Sequence, residues 1–116
     1  MSMLIPKMIE VRQSYPASPP LDFHKLIAEE FDKQALNDRI SPGMRIAVGV
    51  GSRGIANLKE IVEGAIRVLS RAGAQPFVIP AMGSHGGATP EGQIRVLAEY
   101  GITAESLGFQ LMPTWR

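Results

Sequence analysis

The stretch MRIAVGVGSRGIANLKEIVEGAIRVLSRAG, residues 44–73, decides the fold. Its opening run, Met44 to Val50, is mostly apolar and β-branched, the composition of a short strand buried on both faces. A glycine-rich turn, GSRGIA, follows without a break. Asn57 and Glu60 then form an N-x-x-E variant of the capping box, and Leu58, Ile61, Val62, Ala65, Ile66 and Leu69 recur at helical spacing until Gly73 ends the run. The unit is strand, turn, helix. It recurs in PFVIPAMGSHGGATPEGQIRVLAEYG, residues 76–101, with PFVIP as the strand and AMGSHGGA as the turn. There Thr89 is the N-cap, Pro90 the first helical position, and Ile94, Val96, Leu97 and Tyr100 the apolar face before Gly101.

Two such units about thirty residues apart require right-handed crossovers and hence a parallel sheet. The expected fold is α/β, a three-layer Rossmann-like domain with a small, mostly parallel sheet flanked by helices. Outward on the amino-terminal side, Asp22 caps an amphipathic helix over Phe23 to Leu36, with Phe23, Leu26, Ile27, Phe31 and Ala35 on its apolar stripe. Ile9 to Tyr15 alternates roughly between apolar and polar and reads as an opening strand, followed by a Pro/Ser-rich connector at Pro16 to Pro20. After Gly108 the remaining FQLMPTWR supplies one short strand. The whole chain, residues 1–116, reads as one α/β domain with the strand and connector in 1–20 and the motif-bearing core in 40–108.

At 116 residues and 45% hydrophobic, the chain has enough apolar side chains for one core. With 12 Lys+Arg against 11 Asp+Glu it carries a formal charge of +1, which gives no broad field for nucleic acid or an anionic membrane. No secretory h-region and no apolar run of membrane-spanning length occurs, so a soluble cytoplasmic protein is expected. Cysteine is absent, which leaves only His24, His85 and carboxylates as metal ligands. Two histidines so far apart, with no carboxylate at a fixed spacing, form no recognisable metal site, and none is assigned. His24, beside acidic residues on the first helix, reads as a surface side chain. Glu60, Glu63 and Glu91 are explained by helix capping and dipole effects.

Ligands of parallel sheets sit beyond the carboxyl ends of the strands, so GSRGIA and AMGSHGGAT are expected to face one crevice. In the first loop Gly49, Gly51 and Gly54 let backbone N–H groups approach a ligand, Ser52 offers a hydroxyl, and Arg53 a planar fork for carboxylate or phosphate. The G-x-G-x-x-G spacing lacks the acidic residue that a dinucleotide site needs, and no Walker motif occurs. In the second loop Gly83 and Ser84 precede His85, and Gly86 and Gly87 follow it. A histidine flanked by glycines has nothing apolar to pack against, and its imidazole suits general acid/base work.

At these loops the sequence resembles the amino-terminal domain of the nickel-dependent lactate racemase family. AVGVGSRGIANL is similar to the family's first conserved loop, and PAMGSHGGATPEGQ with LAEYGITAESLG to its second loop and the helix after it. The resemblance covers Ile40 to Gly108. It implies a racemase or epimerase acting on a small-molecule 2-hydroxy acid by proton-coupled hydride transfer, with a nickel-pincer nucleotide in the full-length enzyme. It assigns the catalytic proton to His85 and substrate or cofactor contacts to Ser52 and Arg53; Gly54, Gly83, Ser84 and Thr89 complete the candidate set. Val50 and Gly54 stand where lactate racemases carry an acidic residue and a proline, which suggests another hydroxy acid. The cofactor-tethering lysine, the nickel-binding histidine and the second catalytic histidine have no counterpart here, so no cofactor is expected on this chain alone and it is expected to be inactive alone. Two other readings stand beside this one: a non-catalytic anion- or nucleotide-binding module, and a truncated fragment that self-associates. Because the sheet ends early and leaves an open edge, a homo-oligomer or a missing carboxyl-terminal part is expected.

Overall fold

The computed structural model describes residues 4–113. Its elements run α1 (Phe23–Lys33), a 3-10 turn (Leu36–Arg39), β1 (Arg45–Val50), α2 (Leu58–Arg71), β2 (Gln75–Pro80), a left-handed turn beginning at His85, α3 (Pro90–Glu99), α4 (Ala104–Leu107) and β3 (Gln110–Leu111). The fold is α/β: a three-stranded, wholly parallel sheet in the order β1-β2-β3, alternating with helices. Arg45 pairs with Gln75 and Val50 with Pro80; Phe77 pairs with Gln110.

Helices form where the apolar spacing places them. Asp22 caps α1, accepting the Lys25 N–H at 3.1 Å. α2 buries Leu58, Val62, Ile66 and Val68. Thr89 caps α3 with Pro90 at its start, and Thr103 and Ser106 form a reciprocal capping box on α4. Val50 and Val78 join Leu58, Val62, Ile66, Met82, Leu97, Ile102 and Leu107 in one core, with Val48 and Leu111 packed against it. In-order strands with right-handed crossovers bring successive helices to the same face of a sheet, the side on which Val48, Val50, Val78 and Leu111 fall. α1 packs on α2 outside this layer. Their crossing is close at Gly64, where an added Cβ would stand 2.7 Å from Ile27 Cδ1.

Four local expectations are corrected. Residues 9–15 form no strand; they belong to an extended, exposed arm that reaches α1 and carries Leu4, Ile5, Met8, Ile9, Val11 and Tyr15 in solvent. The arm raises the radius of gyration to 19.6 Å, against about 13 Å for a compact chain of this length. The β1 run is not buried on both faces: Arg45, Ala47 and Gly49 are exposed while Val50 is buried, because β1 is an edge strand with its core on one side. α1 stops at Lys33, and Ala35 lies beyond it with φ 50°, turning the chain into the 3-10 turn. Asn57 makes no side-chain cap. Its φ of 57° and ψ of 32° are left-handed where a capping residue is extended, and its carbonyl accepts the Ile61 N–H at 3.1 Å as the first bond of the helix.

No described helix is long and apolar enough to cross a membrane.

Candidate functional site

Parallel pairing sets the site. Register puts Val50 beside Pro80, and the ladder continues one step further as the Ala81 N–H donates to the Val50 carbonyl at 2.8 Å. The loops after β1 and β2 therefore leave from neighbouring points on the carboxyl edge of the sheet. Between them opens a cleft of about 360 Å³ lined by Gly51, Ser52, Arg53, Ile55, Ala81, Met82 and Gly83.

The two loops meet through one contact. Ser52 Oγ and His85 Nδ1 lie 2.5 Å apart. Ser52, 3% exposed, is the buried polar side chain among the described residues, whereas His85 is exposed and keeps Nε2 outside this bond. A hydroxyl both donates and accepts, so the ring is oriented whichever nitrogen carries the proton. The buried serine is thus placed to hold the imidazole, and the exposed imidazole to meet a ligand.

α3 fastens both partners from behind. Gln93 Nε2 donates to the Gly83 carbonyl at 2.7 Å and to the His85 carbonyl at 3.2 Å, spanning the loop on either side of the imidazole's backbone. Tyr100 donates its hydroxyl to the Ser52 carbonyl at 2.7 Å. The histidine loop also lies directly on the first turn of α3: a Cβ on Gly92 would stand 1.9 Å from the Gly86 carbonyl oxygen. Only two glycines permit that approach. Gly86, Gly87 and Ala88 take φ of 64°, 69° and 55°, a left-handed turn that returns the chain from His85 to the α3 cap.

The structure distributes the expected residues as follows. His85, Ser52, Arg53 and Gly83 come together at the cleft, the histidine through its bond to Ser52 and the other three as lining. Arg53 is exposed, and no ion pair among the described residues engages it. Gly54 continues the first loop with φ 61° and open space around its Cα, and Ser84 is exposed and caps nothing. Thr89 is spent on the scaffold: its hydroxyl accepts the Gly92 N–H at 3.1 Å and donates to the Gly86 carbonyl at 3.3 Å. His24 is not a plain surface side chain. It is half-buried, and its Nδ1 lies buried near Gly64 without a hydrogen-bond partner among the described residues. Among the described residues no three His, Cys, Asp or Glu side chains group as metal ligands.

Gln93 and Tyr100, which tie down the backbone of the two loops, are the side chains of this candidate site that sequence reasoning missed. Both sit on or just past α3, where helical spacing assigns Tyr100 to the apolar face and gives Gln93 no role. Gln93 had one local signal, a long amide one turn past a glycine-rich loop; Tyr100 reaches across 48 positions and had none.

Searches against protein-family models, curated proteins and solved structures returned no match to this chain.

Proposed function

We propose that the cleft binds a 2-hydroxy acid, with Arg53 taking the carboxylate and His85 moving the hydroxyl proton, as the amino-terminal part of a racemase or epimerase-type enzyme. The observation that carries the reading is the 2.5 Å contact between Ser52 Oγ and His85 Nδ1. It joins the two loops on which the resemblance to nickel-dependent lactate racemases rests. An imidazole held at Nδ1 by a buried hydroxyl presents Nε2, and general base work requires a ring nitrogen within hydrogen-bond reach of the substrate proton. The guanidinium fork suits a carboxylate, whose two oxygens it can engage at once. Because Ser52 is almost wholly buried, its part is orientation of the ring rather than attack on a substrate.

Removing the hydroxyl proton is half of the chemistry. The hydrogen on the adjacent carbon must leave as hydride, and no side chain lining the cleft accepts one. In the resembled family a nickel-pincer nucleotide supplies that acceptor. The residues present fit the anionic parts of such a group, a carboxylate or phosphate opposite Arg53. They do not fit its anchorage, since no lysine lines the cleft and no described cluster ligates a metal. No step of the proposal runs through that group, and this chain's own residues are given two tasks: binding the acid and carrying the proton.

The test is calorimetric titration of the chain with glycolate and lactate, beside acetate and propionate as their deoxy counterparts. A hydrogen bond between the substrate hydroxyl and His85 is worth about 1 kcal/mol, so the hydroxy acids are expected to bind roughly fivefold tighter, with the margin lost in His85→Ala. Equal affinity for hydroxy and deoxy acids refutes the reading. Tight phosphate binding with no response to either acid would establish the anion-binding module instead.

A further inference from the structure

We propose that the amino-terminal arm, residues 4–15, pairs as a strand with the outer edge of β1 in a second copy of this chain. Each copy gives its arm to the other, and the closed form is a two-fold dimer.

The edge is open. β1 pairs with β2, and no described element runs along its other side. The Met44 carbonyl accepts the Gln75 N–H at 2.7 Å and the Val50 carbonyl accepts the Ala81 N–H at 2.8 Å, so the even-numbered residues here turn their backbone groups toward β2. Backbone direction alternates along a strand, which leaves the N–H and C=O of Arg45, Ala47 and Gly49 pointing outward. Among the described residues these groups have no partner, and such a row is a template for another strand. The far edge of the sheet offers less. The Met112 N–H donates to the Val78 carbonyl, so of the two residues of β3 Leu111 alone turns outward.

The arm has the pattern that this edge requires. Ile9, Val11 and Tyr15 fall on one side of an extended chain and Glu10, Arg12 and Ser14 on the other, as in a strand with one face covered. β1 has the same two sides: Ile46 and Val48 are half-buried toward the helices, while Arg45, Ala47 and Gly49 are exposed on the opposite face. Set beside β1, Ile9 and Val11 extend its apolar side. Glu10 then brings a carboxylate to the side of Arg45, whose guanidinium lies over the Phe77 ring and forms no ion pair among the described residues.

The hinge decides whose edge is filled. Between the arm and α1 lie Pro16, Pro19 and Pro20, each of which also biases the residue before it toward extended backbone. A proline-rich spacer is semi-rigid and resists the reversal that would fold the arm onto its own sheet. The arm projects instead, and the molecule measures 71 Å along its longest axis. A projecting strand and an open edge on the same chain are mutually satisfied by exchange between two copies. Arm and β1 together bring about 18 residues from each subunit, close to the 20–30 a side of a standard interface.

The experiment is light scattering of the full chain from micromolar to millimolar concentration, with amide hydrogen exchange followed by NMR. The expected result is a dimer in which the Arg45, Ala47 and Gly49 amides, open to solvent in the monomer, gain protection together with amides of the arm. Isotope-filtered NOEs are expected to join the unlabelled arm of one copy to the labelled β1 of the other. Val11→Pro combined with Arg12→Pro removes an arm donor whichever side faces β1, and because both residues stand in solvent the folded body is untouched. The dimer Kd is expected to rise roughly 25-fold, about fivefold for the bond lost in each of two arms. A monomer across the whole range overturns the inference. So does a dimer that the paired proline substitutions leave intact, which places its interface elsewhere. Protected edge amides in a monomer also overturn it, as the sign of an arm folded back on its own sheet.

Discussion

Replacing Gly92 by alanine tests the support of the site without touching it. The added methyl would stand 1.9 Å from the Gly86 carbonyl oxygen, 2.7 Å from Thr89 Oγ1 and 2.9 Å from the Gly86 carbonyl carbon. Heavy atoms do not come within about 3.0 Å of a Cβ, so the loop must withdraw by about 1.1 Å at Gly86, the residue next to His85. The Gln93 bond to the His85 carbonyl, 3.2 Å at the start, does not survive such a shift, and the Ser52 contact at 2.5 Å opens with it. Overpacking of this kind costs roughly 1–3 kcal/mol, and each kcal/mol lowers Tm of a small domain by about 4–8 °C. Gly87→Ala is the control. Its φ of 69° carries a left-handed penalty, but its Cα faces open space and nothing pushes the histidine. Thermal unfolding with His85 ring shifts in both variants gives the answer: Tm is expected to fall in both, and the ring shifts to move in Gly92→Ala alone. A Gly92→Ala protein with unchanged His85 resonances would refute the view that α3 holds the imidazole in place.

Two further substitutions probe backbone and burial. Ala88 occupies φ 55°, a conformation that costs an L-residue roughly 1–2 kcal/mol, so Ala88→Gly is expected to raise Tm by a few degrees after the entropy of glycine is discounted; a lower Tm would show the left-handed turn to be unstrained. His24 Nδ1 lies buried without a partner among the described residues, and an unsatisfied buried polar atom costs about 1–3 kcal/mol. His24→Leu should therefore leave the midpoint of chemical denaturation unchanged or increase it, and a clear decrease would reveal a partner for that nitrogen.

What was legible in the sequence follows the reach of each signal. Both strand-turn-helix units, the caps at Asp22 and Thr89 and the helix-ending glycines at 73 and 101 depend on residues within one turn of each other. Local pattern suffices there. The Ile9–Tyr15 alternation misled because period two is necessary for a strand and insufficient: without a neighbouring strand to receive its N–H groups, the segment stays extended and unpaired. Asn57 misled because a short polar side chain serves an N-cap and a left-handed turn equally well, and the route out of Gly54 selected the turn. At the site, glycine flanks marked His85 and the parallel topology placed it opposite Ser52. The distance between them, the 48-residue reach of Tyr100 and the burial of His24 against Gly64 are properties of packed helices that no window of sequence contains.

The register of the sheet carries a consequence for the order in which the molecule is completed. Arg45 pairs with Gln75 and Phe77 with Gln110, so each pairing is closed by its own helical crossover of about thirty residues. On an elongating chain, β1, α2 and β2 are all present by Pro80, before the histidine or any part of α3 has been made. Until α3 seats, the Ser52 hydroxyl has no imidazole and the Ser52 carbonyl no tyrosine. The Ser52–His85 contact thus closes after the first strand pairing, and the register predicts that pulse-labelled hydrogen exchange sees the β1–β2 amides protected ahead of those following Gly83.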